Sequence, residues 1–262
     1  MKRTQTWRKL LSGPSPSSFS QVHESEIPAE ALQNILVDID RSVSSKNTHL
    51  GRDLQKEARE YNVARRKEEL KNVLIAFAKY NTVIGYCQGL SYYVDFLLQF
   101  FPPEDAFLML SRTIQTNCIE GLFDKSLSLV SRVLEVHNKV LNLTLPEFIR
   151  KNIHKLSSGT HDYAAGWYLT LFSRLPPPLY AEILDFFYPH GFCVLFYAGS
   201  ALVEVGYYTY IAQQKREVDE QMQILFKLVE YPIPEHHFST VFRRNMQMVS
   251  IEEISKMMGI GG

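Results

Sequence analysis

The sequence predicts an all-α protein, and three observations support that prediction. Apolar residues recur at intervals of three and four along most of the chain, as they do on one face of an α-helix. No segment alternates between apolar and polar residues with the period of two that is typical of a half-buried strand. No repeat with a period of about 20 to 50 residues indicates a solenoid, so the helices are expected to pack as a globular domain.

The first predicted helix follows a stretch rich in serine and proline, 12–28, which we expect to form a loop. Over 29–43 the apolar residues Leu32, Ile35 and Ile39 recur at three and four, and Leu36 adjoins them. This spacing predicts a helix with one buried stripe.

The next predicted helix has two parts. Residues of both charge signs fill 52–71, where Arg65 and Glu69 have the i, i+4 spacing that stabilises an exposed helix. One apolar face then extends to Tyr80 and Asn81, where a polar turn is expected. A further apolar helix is predicted over 92–101, ended by the two prolines that follow it. The remaining predicted helices are 104–115, 127–141, 163–173, 179–187, 195–213, 218–229 and 251–257, the last with Ser250 as its N-cap.

Composition excludes several classes of function. The 262 residues include 28 Lys and Arg and 28 Asp and Glu, so no net charge attracts nucleic acid. The three cysteines, Cys87, Cys118 and Cys193, have no C-x-x-C spacing, which argues against a disulfide framework or a zinc site. The first eleven residues lack the apolar core of a signal peptide, and 192–203 is shorter than the roughly 20 residues of a membrane span. We therefore expect a cytoplasmic protein without a membrane anchor of its own.

The chain contains no Gly-x-Gly-x-x-Gly, Walker A, His-Glu-x-x-His or Gly-x-Ser-x-Gly motif. Its sequence therefore predicts no cofactor of its own. Two short strings remain, Ile-Leu-Val-Asp-Ile-Asp-Arg at 35–41 and Gly-Tyr-Cys-Gln-Gly-Leu at 85–90. They resemble the IxxDxxR and YxQGM motifs of the TBC family of Rab GTPase-activating proteins. The matching positions are Ile35, Asp38 and Arg41 in the first string and Tyr86, Gln88 and Gly89 in the second.

The resemblance covers roughly 7–211, with Leu90 in place of the family's usual methionine. It implies a TBC-type domain of two helical lobes, about 1–158 and 159–262, with a groove for the GTPase. Both motifs would lie in the first lobe.

The resemblance also implies a function in vesicle trafficking. Arg41 and Gln88 would act as arginine and glutamine fingers on a GTP-bound Rab GTPase, with Asp38, Tyr86 and Gly89 as orienting or supporting residues. GTP and Mg²⁺ would be bound by the partner, which could also recruit the chain to endomembranes.

Physical chemistry explains why these residue types suit the reaction. An arginine guanidinium can neutralise charge that develops on the γ-phosphate, and a glutamine amide can hold the attacking water. Both residues have simpler interpretations, because arginine on an amphipathic helix is usually a surface charge and glutamine before glycine is usually part of a turn.

Three other functions remain open on sequence grounds. The same groove could bind a Rab without accelerating hydrolysis, as in a catalytically silent adaptor. Cys87 could be a nucleophile if a base such as His161 or His190 activated it. The adjacent residues His236 and His237 could contribute to a metal site, although neighbouring side chains diverge on a helix or a strand.

Overall fold

Helices are the regular elements throughout the part of the chain that the computed structural model describes, which comprises residues 6–11, 19, 23–44, 56–212 and 217–259. No strand occurs in these ranges, so the prediction of an all-α fold is confirmed. Most of the predicted loop 12–28 lies outside them. The chain divides into an N-terminal unit, 1–126, and a C-terminal unit, 127–262, whereas the sequence placed the division near Ser158.

Four α-helices occur in the described part of the N-terminal unit. α1 packs against α2 and α3, and α2 also packs against α4. A short 3₁₀ turn follows α4. Their bounds are Ala29–Ser44 for α1, Lys56–Tyr80 for α2, Leu90–Leu97 for α3, Pro103–Thr116 for α4 and Glu120–Leu122 for the turn.

The buried stripe of α1 has the predicted spacing. Ile35, Ile39 and Val43 are each less than 5% exposed, so their burial removes almost the whole of three aliphatic side chains from water. Complete burial of such a side chain contributes about 1.5 to 3 kcal/mol. Leu36, which the sequence placed beside the stripe, is 39% exposed and lies at its edge. This stripe fixes which face of α1 is directed away from the core.

α2 is one continuous helix, although its sequence changes from a charged to an apolar pattern. The predicted pair Arg65 and Glu69 lies at 2.9 Å. An ion pair at 2.9 Å between Arg66 and Asp95 joins α2 to α3. Burial raises the pKa of Asp95, and Arg66 opposes that rise in part.

The two prolines after α3 were predicted to end that helix, but they begin the next one. α3 begins two residues earlier than predicted and ends at Leu97, before either proline. Pro102 is instead the N-cap of α4 and Pro103 its first residue. A proline is well tolerated there because the first helical turn needs no backbone N–H for an intrahelical bond.

In the C-terminal unit, several helices pack against one central apolar helix, α9. All of its residues are buried, and it packs against α5, α8 and α11. None of the helices in the described ranges has both the length and the apolar character required to cross a bilayer. The helices of this unit are α5 Val130–Thr144, α6 Glu147–Leu156, α7 His161–Leu169, α8 Pro177–His190, α9 Val194–Gly206, α10 Val218–Phe226, α11 Glu235–Met248 and α12 Ile251–Met258.

Two of these helices, α6 and α11, were not predicted from the sequence. Both are rich in polar residues and bury only a narrow stripe, such as Ile149, Ile153 and Leu156 in α6. Each follows a proline N-cap, Pro146 or Pro234, which was the available signal. The predicted N-cap of α12 is confirmed, because the Ser250 hydroxyl accepts a hydrogen bond from the backbone of the third helical residue.

His137 is a buried titratable group in this unit. It lies on α5, and the Tyr163, Trp167 and Tyr168 rings stand edge-on to the imidazole at 5.5 to 6.3 Å between centroids. A hydrogen bond of 2.8 Å joins its Nδ1 to the Tyr168 hydroxyl. Burial without a compensating negative charge lowers the pKa of His137 to about 3.

This shift makes the stability of the fold depend on pH. In the unfolded chain the pKa of His137 returns to about 6.5, so the unfolded state binds a proton first as the pH falls. The contribution of His137 to the free energy of unfolding is fully present above pH 6.5. It is lost as the pH falls from 6.5 to about 3, at about 1.4 kcal/mol per pH unit.

Glutamine does not titrate, so we expect His137→Gln to remove the contribution of His137 to the dependence of the unfolding free energy on pH. Urea unfolding at several pH values between roughly 4 and 7 measures this dependence. His190→Gln, a change at an exposed histidine, controls for the loss of a histidine as such. Identical slopes for the parent chain and His137→Gln would contradict this account.

Candidate functional site

The candidate site is built around the carboxylate of Asp38, which lies on α1 with a side chain only 2% exposed. Its Oδ2 accepts a hydrogen bond of 2.7 Å from the Gly89 backbone N–H and another of 2.8 Å from the Tyr86 hydroxyl. A buried carboxylate needs such donors, because burying a charge without partners is costly. Asp38 therefore connects the first sequence motif to the second.

Arg41 lies one helical turn after Asp38 and faces solvent. Its Nη1 is 3.9 Å from the other carboxylate oxygen of Asp38, and its side chain is 59% exposed. An ion pair this long and this exposed contributes about 0 to 1 kcal/mol. The aspartate can thus direct the guanidinium without preventing it from moving towards a partner.

Gln88 lies in the glutamine loop, 81–89, which joins α2 to α3. Its side chain is exposed, whereas Tyr86 and Gly89 on either side of it are bonded to Asp38. The backbone is therefore held on both sides of Gln88 while the amide group faces solvent. This arrangement allows Gln88 to contact another molecule.

Gly89 has a backbone conformation that favours glycine. Its φ of 105° lies in the left-handed region, and the residue is the N-cap of α3. A side chain at this position would strain the backbone. The conformation also directs the Gly89 N–H to Asp38.

Tyr86 acts as a hydrogen-bond donor at this site. Burial raises the pKa of its hydroxyl, and the adjacent Asp38 carboxylate raises it further. The phenol therefore stays protonated at neutral pH and donates to the carboxylate.

Cys87 is a poor nucleophile in this environment. Burial, together with the negative charges of Asp38 and Asp124, raises the pKa of its thiol to about 11. An activated cysteine needs the opposite shift, usually from a nearby cation or a helix N-terminus. The direction of this shift therefore argues against Cys87 as a nucleophile.

The metal hypothesis also finds no support in the described ranges. His236 and His237 lie in the first turn of α11. Within those ranges no group of three or more His, Cys, Asp and Glu side chains is arranged to hold a metal ion.

Asp38 accepts hydrogen bonds from Tyr86 and Gly89 and lies 3.9 Å from Arg41, and the exposed Gln88 lies in the chain between Tyr86 and Gly89. Sequence reasoning missed two others, Asn81 and Glu120, whose side chains form a 2.8 Å hydrogen bond at the start of the glutamine loop. An asparagine after a helix end is a recognisable turn signal, but Glu120 is distant in sequence and has no motif around it.

We expect Asp38→Ala to lower the free energy of unfolding by about 2 to 3 kcal/mol, because it leaves the buried donors of Tyr86 and Gly89 without an acceptor. Asp38→Asn keeps one oxygen for both donors and should cost less. Urea unfolding of the two variants tests this order. Equal stability of Asp38→Ala and the parent chain would contradict the anchoring role of the carboxylate.

The raised pKa of Cys87 gives a prediction for thiol reactivity. In a Cys118→Ser/Cys193→Ser variant, the rate of alkylation by iodoacetamide should rise about tenfold per pH unit from pH 7 to 10 and continue to rise beyond it. A Cys87→Ser/Cys193→Ser variant, which retains the exposed Cys118, is the matched control. A rate for Cys87 that levels off near the ordinary thiol pKa of about 8.5 would contradict the shift.

Comparisons with known proteins identify the family of the chain. The family model described as the Rab-GTPase-TBC domain matches residues 2–208. The chain is 29% identical over 209 residues to the human Ecotropic viral integration site 5 protein homolog, covering 78% of this chain and 24% of the human protein.

Two further relatives are named for GTPase activation. The chain is 27% identical to the GTPase activating protein Gyp51 of Schizosaccharomyces pombe, covering 76% of this chain and 20% of that protein. It is 29% identical to the Rab GTPase-activating protein tbc-11 of Caenorhabditis elegans, covering 53% and 15% respectively. The chain thus spans about a quarter or less of the length of these three relatives. Because the family model covers most of its length, the chain belongs to the RabGAP-TBC family.

Proposed function

We propose that the chain accelerates GTP hydrolysis by a Rab-family GTPase, to which it supplies Arg41 and Gln88. The observation that carries this proposal is the shared attachment of both motifs to one buried carboxylate, that of Asp38. Family membership supports it, as does the name of the Caenorhabditis elegans relative, Rab GTPase-activating protein tbc-11.

Arg41 has the chemistry of an arginine finger. Hydrolysis of GTP places negative charge on the γ-phosphate and on the bridging oxygen, and a planar guanidinium can donate two directed hydrogen bonds to these oxygens. An arginine supplied in trans raises the rate about 10³- to 10⁵-fold. The exposed and weakly paired guanidinium of Arg41 can reach a docked nucleotide at little cost.

Gln88 is proposed to position the attacking water. Its neutral amide can accept a hydrogen bond from water and donate another to the phosphate, so it need not act as a base. Such positioning depends on fixed geometry. The hydrogen bonds of Tyr86 and Gly89 to Asp38 supply that rigidity.

Asp38 is proposed as the positioning residue of the pair. It holds the glutamine loop through two short hydrogen bonds and attracts the guanidinium through its other oxygen. The two fingers therefore share one point of reference, and a shift of this carboxylate would displace both. Tyr86 and Gly89 have supporting roles because they provide the donors.

In this proposal the partner binds the nucleotide and Mg²⁺, and the GTP-bound Rab is the substrate. The chain would reach endomembranes through that partner. Because it spans only a fraction of its relatives, any activity or partner of a longer protein is also part of the proposal.

Single-turnover phosphate release from a panel of GTP-loaded Rab GTPases tests the function. The parent chain should accelerate release from at least one of them, and Arg41→Ala or Gln88→Ala should each reduce that acceleration by about 10²-fold or more. Arg41→Lys should not restore it, because lysine lacks the planar fork. Arg65→Ala is the matched control, since Arg65 is an exposed arginine on α2 that pairs with Glu69.

Two outcomes would contradict the proposal. Binding of a GTP-loaded Rab without acceleration by the parent chain would indicate the catalytically silent adaptor. Acceleration that survives both substitutions would show that the fingers are not responsible. Circular dichroism of each variant separates loss of activity from loss of fold.

A further inference from the structure

The glutamine loop is held at its start by Asn81, which follows the last residue of α2 and is only 8% exposed. Its Oδ1 accepts a hydrogen bond of 3.0 Å from the Ile84 N–H. Its backbone carbonyl accepts another of 2.7 Å from the Gly85 N–H. Together these bonds close the turn that leads into the catalytic end of the loop.

The other end of the Asn81 amide is bonded to a different part of the chain. Its Nδ2 donates to Glu120 Oε1 at 2.8 Å. Glu120 is the first residue of the 3₁₀ turn after α4. The amide orientation is fixed by these two bonds, because only its oxygen can accept from Ile84 and only its nitrogen can donate to a carboxylate.

The same segment also acts on the glutamine loop through its charge. The Asp124 carboxylate, four residues after Glu120, is one of the charges that raise the pKa of the Cys87 thiol. The segment 120–124 contacts the loop directly through the Asn81–Glu120 hydrogen bond. It belongs to the same unit as α1 and α2.

We propose that Asn81 and Glu120 are positioning residues for Gln88, forming a second anchor of the glutamine loop in addition to Asp38. This inference rests on the proposed function and extends it. Asp38 holds Tyr86 and Gly89, whereas the Asn81–Glu120 bond holds the turn before them.

The need for two anchors follows from the geometry of the loop. Gly85, which connects the turn to Tyr86, has a φ of 61°, in the left-handed region that glycine adopts freely. If the start of the loop moved, the hydrogen bonds of Asp38 alone would have to set the position of Gln88. A displacement of about 1 Å in a positioning residue can reduce a rate about 10²-fold.

The proposal is tested by exchanging the donor and the acceptor of the Asn81–Glu120 hydrogen bond. Asn81→Asp keeps the acceptor for Ile84 but places a second carboxylate against Glu120, which repels it. Adding Glu120→Gln restores a donor on the opposite side, so the double variant re-forms the bond with reversed polarity. Glu120→Gln alone is the matched control, because its amide oxygen can still accept from Asn81.

The first readout is the acceleration of phosphate release from a GTP-loaded Rab that responds to the parent chain. Asn81→Asp should lower the rate constant at saturating protein about 10- to 100-fold, with the half-saturating concentration changed less than about threefold. The double variant and Glu120→Gln should both remain within about threefold of the parent rate. Circular dichroism of each variant separates this effect from a loss of the fold.

The second readout does not depend on any GTPase. In the Cys118→Ser/Cys193→Ser background, alkylation of Cys87 by iodoacetamide reports how firmly the loop is held. Asn81→Asp should raise this rate at least about fivefold, because local opening exposes the thiol, and the double variant should return it to the parent value.

The results separate the two proposals. If the parent chain activates a Rab and Asn81→Asp leaves both the rate constant and the alkylation rate unchanged, the positioning role is wrong. If Asn81→Asp lowers the rate constant and raises the alkylation rate but the double variant restores neither, the Asn81–Glu120 bond is not the cause and the inference is also overturned. If the parent chain activates no Rab, the proposed function fails, and unchanged alkylation of Cys87 would then overturn the second anchor independently.

Discussion

The buried carboxylate of Asp38 is the interaction on which the candidate site depends. Its position follows from the spacing of α1, because the stripe that buries Ile35 and Ile39 also directs Asp38 inwards, towards the glutamine loop. Burial of the charge is tolerated because Tyr86 and Gly89 donate two short hydrogen bonds to it. The same residue thus satisfies its own need for partners and determines where the backbone beside Gln88 lies.

The site combines firmly held backbone with exposed functional groups. Gln88 is flanked by two bonded residues, yet its amide faces solvent. Arg41 is weakly paired and largely exposed, so its guanidinium can adjust to a partner. This division suits a protein that would complete the active site of another molecule, since rigidity reduces the entropy lost on docking and exposure permits contact. The Asn81–Glu120 bond extends the same principle to the start of the loop.

Much of the fold could be predicted from local patterns, and parts of it could not. The stripe of α1 and the N-cap Ser250 follow from side-chain spacing and capping chemistry, which act over a few residues. The polar helices α6 and α11 were missed because their stability comes from packing of a narrow stripe against other helices. The candidate site residues were predicted from two family-like strings. The bond of Asp38 to Gly89 spans 51 positions, and no short-range pattern specifies such a contact.

The most direct test of this account is a structure of the chain bound to a responsive Rab loaded with GDP and aluminium fluoride, which mimics the transferring phosphoryl group. We expect the Arg41 guanidinium and the Gln88 amide to lie within hydrogen-bond distance, about 3 Å, of the fluoride ligands or the attacking water. Asp38 should keep its bonds to Tyr86 and Gly89 in that complex. A complex in which either finger lies away from the nucleotide, or in which the Asp38 bonds are broken, would contradict the account.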